Sequence, residues 1–111
     1  MNDIRFSDFQ TAVDSTLARH RGVFDVLSKI QESSARLNRA VVKAATSCGC
    51  IRMSAQKQEL SDETTLENLP QIMSSCVEGE LCPNCRGVIE KEMGALLYYT
   101  AGLCNTLDLS M

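Results

Sequence analysis

"RGVFDVLSKIQESSARLNRAVVKAAT", residues 21–46, sets Val23, Val26, Leu27, Ile30, Leu37, Val41 and Ala44 on one line at steps of three and four, with Ser34 filling the gap. That spacing is the mark of a helix with a single apolar face. No proline or glycine interrupts the run after Gly22, so the reading is one long amphipathic helix from about Arg21 to Thr46. Such a helix cannot bury its stripe alone, and other elements have to supply the cover.

Downstream, a second long pattern offers that cover. Ile89, Met93, Leu96, Leu97, Thr100, Leu103, Cys104 and Leu107 keep helical spacing behind Pro83, a residue suited to a helix's first turn. A helix from Pro83–Arg86 to about Leu107 is expected, with these side chains on its buried face. Upstream, Ser7 with Gln10 three residues later reads as a capping box, and Phe9, Val13 and Leu17 continue as a short first helix. Between the long helices the periodicity fails. Residues 47–65, "SCGCIRMSAQKQELSDETT", read as loop with at most a short extended piece at Ile51–Met53. Leu66, Leu69, Ile72 and Met73 then suggest a small helix that Pro70 opens or interrupts. The expected architecture is all-α: a helical bundle, one domain over residues 1–111, with a cysteine-bearing connection at 47–85.

Composition agrees with a small folded domain. The chain has 111 residues, 44% hydrophobic and 23% charged, enough for a modest core. With no Trp, two Tyr and three Phe, that core has to be aliphatic. A net charge of −3 speaks against non-specific nucleic-acid binding. The charge is uneven, with seven Lys/Arg against five Asp/Glu in residues 1–46 and four against nine in 47–111. "MNDIRFSDFQ" is polar, and no stretch approaches the length of a membrane span. The expectation is a cytoplasmic protein with no signal peptide and with reduced thiols.

Five of the six cysteines fall in loops or at expected helix ends: Cys48, Cys50, Cys76, Cys82 and Cys85. A Cys-x-Cys and a Cys-x-x-Cys knuckle can together close a tetrahedral four-sulfur site, which suits Zn²⁺. The glycine of "CGC" allows a tight turn. In "CPNC" the second cysteine sits on the first turn of a helix, where free amides favour a thiolate. A structural zinc on Cys48, Cys50, Cys82 and Cys85 is the preferred reading, with Cys76 able to replace any of the four. Plain reduced thiols, redox chemistry and an iron–sulfur cluster stay open beside it. A thioredoxin-type pair would need a βαβ context that this sequence does not suggest. Cys104 reads as a buried small hydrophobe, and His20, the only histidine, as a surface or helix-end residue rather than a ligand.

"IEKEMGALLYYTAGLCNTLDLS" resembles the second signature helix of the MazG-like nucleoside triphosphate pyrophosphohydrolases, and "IQESSARLNRAVVKAAT" resembles their first. With "SCGCI", "GELCPNCR" and "LCNTLDL" the chain is more similar still to a family of short, cysteine-bearing MazG-like proteins with a helical fold and no established activity. The likeness covers roughly residues 20–110. MazG-type chemistry needs carboxylates from two facing helices to hold Mg²⁺ and activate water. On that pattern Glu32 and Glu92 match acids, whereas Ser33, Arg36 and Ala95 stand where three others belong. The resemblance therefore implies a non-catalytic module; joined to the zinc reading of the cysteines, the expected function is a zinc-binding module that acts by binding a protein or a nucleotide. The alternative is a divergent Mg-dependent pyrophosphohydrolase using Glu32, Glu90 and Glu92.

Two expectations follow from the helices. MazG-like folds usually continue past "LDLS" into another helix, so the apolar stripes of residues 23–44 and 89–107 predict a homodimer that covers them. Arg36, at a lost metal-ligand position, is expected within ion-pair reach of Glu32 or Glu92. The plainer reading makes Arg36, Arg39 and Lys43 a solvated basic face, and has Glu90 and Glu92 only complementing a helix dipole.

Overall fold

The computed structural model describes residues 5–17 and 22–111. Helix dominates. Helix α1 spans Phe6–Thr16, α2 spans Val23–Lys43, α3 is a single turn at Leu69–Ile72, and α4 spans Pro83–Leu107. A two-stranded antiparallel ribbon, β1 (Ile51–Met53) and β2 (Val77–Gly79), interrupts the helical order. The extended piece at Ile51–Met53 is present; its partner strand is the feature that an all-α reading lacks. No described helix is long and apolar enough to cross a membrane.

The two long helices lie against each other in antiparallel sense, placing Ala44 with Ile89 and Cys48 beside Cys82 at one end. Val26, Ser33 and Ala44 are the buried residues on the α2 side. They follow the predicted stripe, with Ser33 taking the inward place expected of Ser34. On α4 the expected face is met in part, with Leu96, Thr100, Leu103 and Cys104 partly buried, and the fully buried positions extend beyond it. Ile89, Ala101 and Gly102 are buried, while Met93, Leu97 and Leu107 are exposed. The reason is α1, which docks on the flank of α4 carrying Tyr98, Ala101 and Asn105. There Val13, Leu17 and Ala101 form a core cluster with Phe9, Tyr98, Tyr99 and Met111 around it. A side chain at Gly102 would meet Leu17 Cδ2 at 2.6 Å, so this glycine lets the chain after α1 come close.

Ser7 does not cap α1. The helix begins at Phe6 with Arg5 as its N-cap and no side-chain cap bond. The Ser7 carbonyl instead accepts a bond from Thr11 Oγ1 at 3.0 Å. Gln10, assigned to the capping box, is drawn into tertiary bonds: its Nε2 donates to the Leu109 carbonyl at 2.6 Å and its Oε1 accepts from Met111 N–H at 3.1 Å. Asn105 Nδ2 adds a bond to the Gln10 carbonyl at 3.0 Å, fastening α1 to the end of α4. Helix α4 ends in a left-handed cap at Asp108, with Leu109 N–H returning to the Cys104 carbonyl. His20 and Arg21, the latter the expected first residue of α2, lie outside the described residues.

Between Arg52 and Glu80 no residue is buried. Local polar bonds shape this stretch instead. Ser54 N–H reaches the Cys76 carbonyl at 2.8 Å, Gln58 Oε1 accepts from Ser74 N–H at 2.9 Å, and Asn68 Oδ1 accepts from Thr65 N–H at 2.7 Å just ahead of α3.

Candidate metal centre

Four thiols meet where α2 ends and α4 begins. Each arrives by a separate piece of local structure. The last turn of α2 widens into a π-helical turn over Ala44–Cys48, closed by Gly49 N–H to the Ala44 carbonyl at 2.9 Å. Such turns displace a side chain from regular helical register, and this one carries Cys48 out to the surface. Gly49 then takes φ +80°, a left-handed conformation that glycine adopts without cost. The chain reverses and brings Cys50 back against Ala44, whose carbonyl lies 3.7 Å from the Cys50 Sγ.

The ribbon sets the second knuckle beside the first. Ile51 pairs with Gly79, Arg52 with Glu78 and Met53 with Val77, and Arg52 and Glu78 also form a cross-strand ion pair. From the Ile51–Gly79 pair the two strands lead outward, one to Cys50 and the other through Glu80 and Leu81 to Cys82. Gly79, at φ +89°, sits so close that a Cβ would stand 2.7 Å from the Cys50 carbonyl oxygen. Cys82 is the N-cap of α4, and its Sγ accepts the Cys85 backbone N–H at 3.4 Å. Pro83 occupies the first turn, where a missing N–H is harmless.

The four Sγ atoms of Cys48, Cys50, Cys82 and Cys85 all lie within 4.8 Å of one another, and Cys48 and Cys82 are 3.8 Å apart. A tetrahedral zinc at a Zn–S distance of about 2.3 Å places its sulfurs roughly 3.8 Å apart. The donor set and the spacing both fit a single ion. No disulfide is present among the six cysteines. Cys50 and Cys85 pack against the small core of Ala44, Ile51 and Ile89, while Cys48 is exposed.

The electrostatics of the ion-free thiols follow from this geometry. The Cys85 backbone N–H, helped by the Cys85 side chain, pulls the Cys82 thiol down to about 7. The Cys82 sulfur in turn pushes Cys85 up to about 12, with burial acting in the same direction. One thiolate is thus readily available at the helix start, and the next is opposed until a cation joins the cluster.

Cys76 is not part of the group. It lies on the far side of the ribbon with φ +63°, its Sγ 3.6 Å from Gln58 Nε2. Cys104 is half-buried on α4. The carboxylates fare differently from the thiols. Glu32, Arg36, Lys29 and Glu92 line one small cleft of about 100 Å³ between α2 and α4. Glu32 pairs there with Lys29 at 3.2 Å and with Arg36 at 3.7 Å. No ion pair joins Arg36 to Glu92. Glu90, two residues from Glu92, is directed to another side of the helix. Among the described residues the four cysteines are the one His/Cys/Asp/Glu group close enough to hold an ion; Glu32, Glu90 and Glu92 do not form such a group.

Sequence reading passed over β2 and Gly79. Their signal was weak: Val77 as a β-branched residue beside a glycine, in a run too short to show alternation. Comparison with protein-family models, with curated proteins and with solved structures gives no match.

Proposed function

We propose that the protein is a non-catalytic zinc-binding helical module, a divergent relative of the MazG-like proteins, that acts by binding a partner. The observation that carries the reading is the convergence of Cys48, Cys50, Cys82 and Cys85 within 4.8 Å. Four thiolates at that separation suit one tetrahedral ion better than a cluster of several irons, and soft thiolates select zinc over Mg²⁺. Bound there, the ion supplies order: it ties the end of α2, the ribbon and the start of α4 to one point. Elemental analysis of the purified protein tests this directly. About one zinc per chain is expected, and protein that is fully folded with no metal and unable to take up zinc would refute it.

The partner we propose first is a second copy of the chain. Leu27, Met93 and Leu97 are each nearly half exposed, at 48%, 47% and 48%, and Phe24 is 85% exposed. Val41, Ile89 and Met93 also line an open cleft of about 580 Å³ between the ribbon and the long helices. A two-fold contact through this face would cover the part of both stripes that α1 leaves bare. Light scattering at micromolar concentration distinguishes a dimer from a monomer, and Leu97→Glu should shift the balance to monomer. A nucleotide held without hydrolysis in the cleft of Lys29, Glu32, Arg36 and Glu92 is the other form of the binding reading. Incubation with nucleoside triphosphates and Mg²⁺, followed by pyrophosphate detection, separates it from the hydrolase alternative. No pyrophosphate release is expected.

A further inference from the structure

We propose that the four-cysteine centre releases its metal on oxidation, by formation of a disulfide between Cys48 and Cys82. The inference rests on the zinc reading and adds a regulation to that site. Three observations support it.

The ligands are unequal in exposure. Cys48 is exposed, whereas Cys50, Cys82 and Cys85 are partly buried. Cys48 also borders an open cleft of about 230 Å³ whose walls include Lys43, Asn84, Val88 and the partly buried Cys85, so Cys48 is the exposed one of the two thiols on it. A small oxidant can therefore reach this sulfur without any movement of the fold. Thiolate reactivity follows access in this way.

Next, the geometry selects the partner. The Cys48 and Cys82 sulfurs are 3.8 Å apart and belong to different knuckles. Cys50 is turned under the π-helical turn toward the Ala44 carbonyl, and Cys85 packs with Ala44, Ile51 and Ile89. Closing a disulfide from Cys48 to Cys82 brings the exposed Cys48 sulfur onto a partner 3.8 Å away and leaves Cys50 and Cys85 in their apolar contacts. Pairing Cys82 with Cys85 has to draw the latter out of its apolar contacts.

Finally, the reaction balances with a hydroperoxide as oxidant. The Cys48 sulfur attacks one peroxide oxygen, the O–O bond breaks, and hydroxide leaves, giving a sulfenic acid. The Cys82 sulfur attacks that sulfur, the S–S bond forms, the S–O bond breaks, and a second hydroxide leaves. The two sulfurs lose two electrons and the peroxide gains two, and each hydroxide takes a proton from solvent to end as water. Two thiolates, Cys50 and Cys85, are left for the ion, too few for a tetrahedral site, and Zn²⁺ departs. The new bond keeps the end of α2 tied to the start of α4. The ribbon, anchored through Cys50, is what comes loose.

The experiment uses zinc-loaded full-length protein and hydrogen peroxide, with a coloured zinc chelator reporting release. One zinc is expected to leave per disulfide formed. Peptide fragmentation across Gly49 and across Pro83–Asn84 should place the bond between Cys48 and Cys82, with Cys50 and Cys85 open to alkylation. A thiol reductant should restore zinc binding, and Cys76→Ser should leave all of this unchanged. Absence of zinc at the outset would mean that the metal reading itself fails. Zinc present but retained under peroxide would overturn this inference alone, as would release with a Cys82–Cys85 bond or with oxidation beyond the sulfenic stage.

Discussion

The two ends of the α2–α4 pair are held by different physics. At one end α1 lies along α4, and Val13, Leu17 and Ala101 are buried with aromatic and aliphatic neighbours around them. Polar bonds from Gln10 and Asn105 lock that contact. At the other end Ala44, Ile51 and Ile89 are buried, with Leu37, Val41, Leu81 and the thiols of Cys50 and Cys85 among the partly buried side chains packed on them. Beyond them runs a stretch from Arg52 to Glu80 in which nothing is buried. The first end resembles ordinary helix packing. The second carries the stretch with nothing buried, whose ordering has to be held against chain entropy, and the four thiols converge at the two ends of that stretch. Burial alone holds the first end; on the zinc reading, a bound ion adds to burial at the second.

The largest expected effect breaks this contrast at the cysteine end. On the zinc reading Cys82→Ser removes a ligand, and it removes the sulfur that accepts the Cys85 N–H. Loss of the metal should destabilise the folded chain by more than about 3 kcal/mol, given what structural zinc contributes to small sites. Hydrogen exchange should show it locally, with the amides of Ile51–Met53 and Val77–Gly79 losing protection while those around Val13 and Ala101 keep theirs. Leu17→Ala is the mirror test. It opens a cavity at the far end, should cost about 2–4 kcal/mol, and should leave the zinc content unchanged.

Next in size is Gly79→Ala. Its φ of +89° strains any side chain, and the new Cβ would press on a backbone oxygen 2.7 Å away rather than on a movable side-chain tip. Together these should cost about 2–3 kcal/mol and weaken zinc binding, because the Ile51–Gly79 pair sets the spacing of the two knuckles. Gly102→Ala is the informative control. There the near atom is the end of the Leu17 side chain, which can shift, and a mid-helix alanine is favourable by up to about 1 kcal/mol.

The acidity of the thiols gives a third test. The Cys82 thiol is lowered to about 7 by the N–H of Cys85, so in the metal-free protein its contribution to stability is present above the ordinary thiol range and is lost as pH falls through about 7. Cys85 is raised to about 12; its contribution is present below the ordinary range and lost as pH rises through that value. The two signs oppose each other. For metal binding they act together: below about pH 7 the ion must displace the Cys82 proton as well as that of Cys85. Zinc affinity should therefore fall more steeply with decreasing pH below 7 than above it, measurable by competition with a chelator.

The same contrast explains what could be read from residues alone. The long helices were legible because Val23 to Ala44 and Ile89 to Leu107 repeat over many turns, and a repeated signal survives local exceptions. The four thiols were legible because ligand spacing is itself chemistry. The face that α4 buries was legible only in part: the docking of α1 adds Ala101 and Gly102 to it, and no periodicity announces which neighbour arrives. The second strand of the ribbon, and its pairing with the expected piece at Ile51–Met53, were missed for a related reason. Three residues a side cannot show alternation, and the pairing of Ile51 with Gly79 spans 28 positions of chain. The ion pair of Arg36 was foreseen with Glu32 or Glu92; the structure makes it with Glu32.

The smallest effect expected is at that pair. Arg36 meets Glu32 one turn away on α2 at 3.7 Å, and the two side chains are 65% and 47% exposed. A guanidinium and a carboxylate in that setting are both well hydrated, and holding them together costs side-chain entropy that offsets the attraction. Lys29 approaches the same carboxylate at 3.2 Å, so Glu32 keeps a partner when Arg36 is removed. Arg36→Ala should therefore change stability by less than about 0.5 kcal/mol, and what remains should vanish in high salt. A cost above 2 kcal/mol would mean that the guanidinium is buried against Glu92 in solution. Arg36→Glu sharpens the point further. It places a third carboxylate beside Glu32 and Glu92 in the small α2–α4 cleft, and stabilisation of that variant by Mg²⁺ in thermal unfolding would show that an oxygen-lined site can be rebuilt there. The zinc content at the opposite end of the groove should not change in either variant, because the thiols share no partner with Arg36.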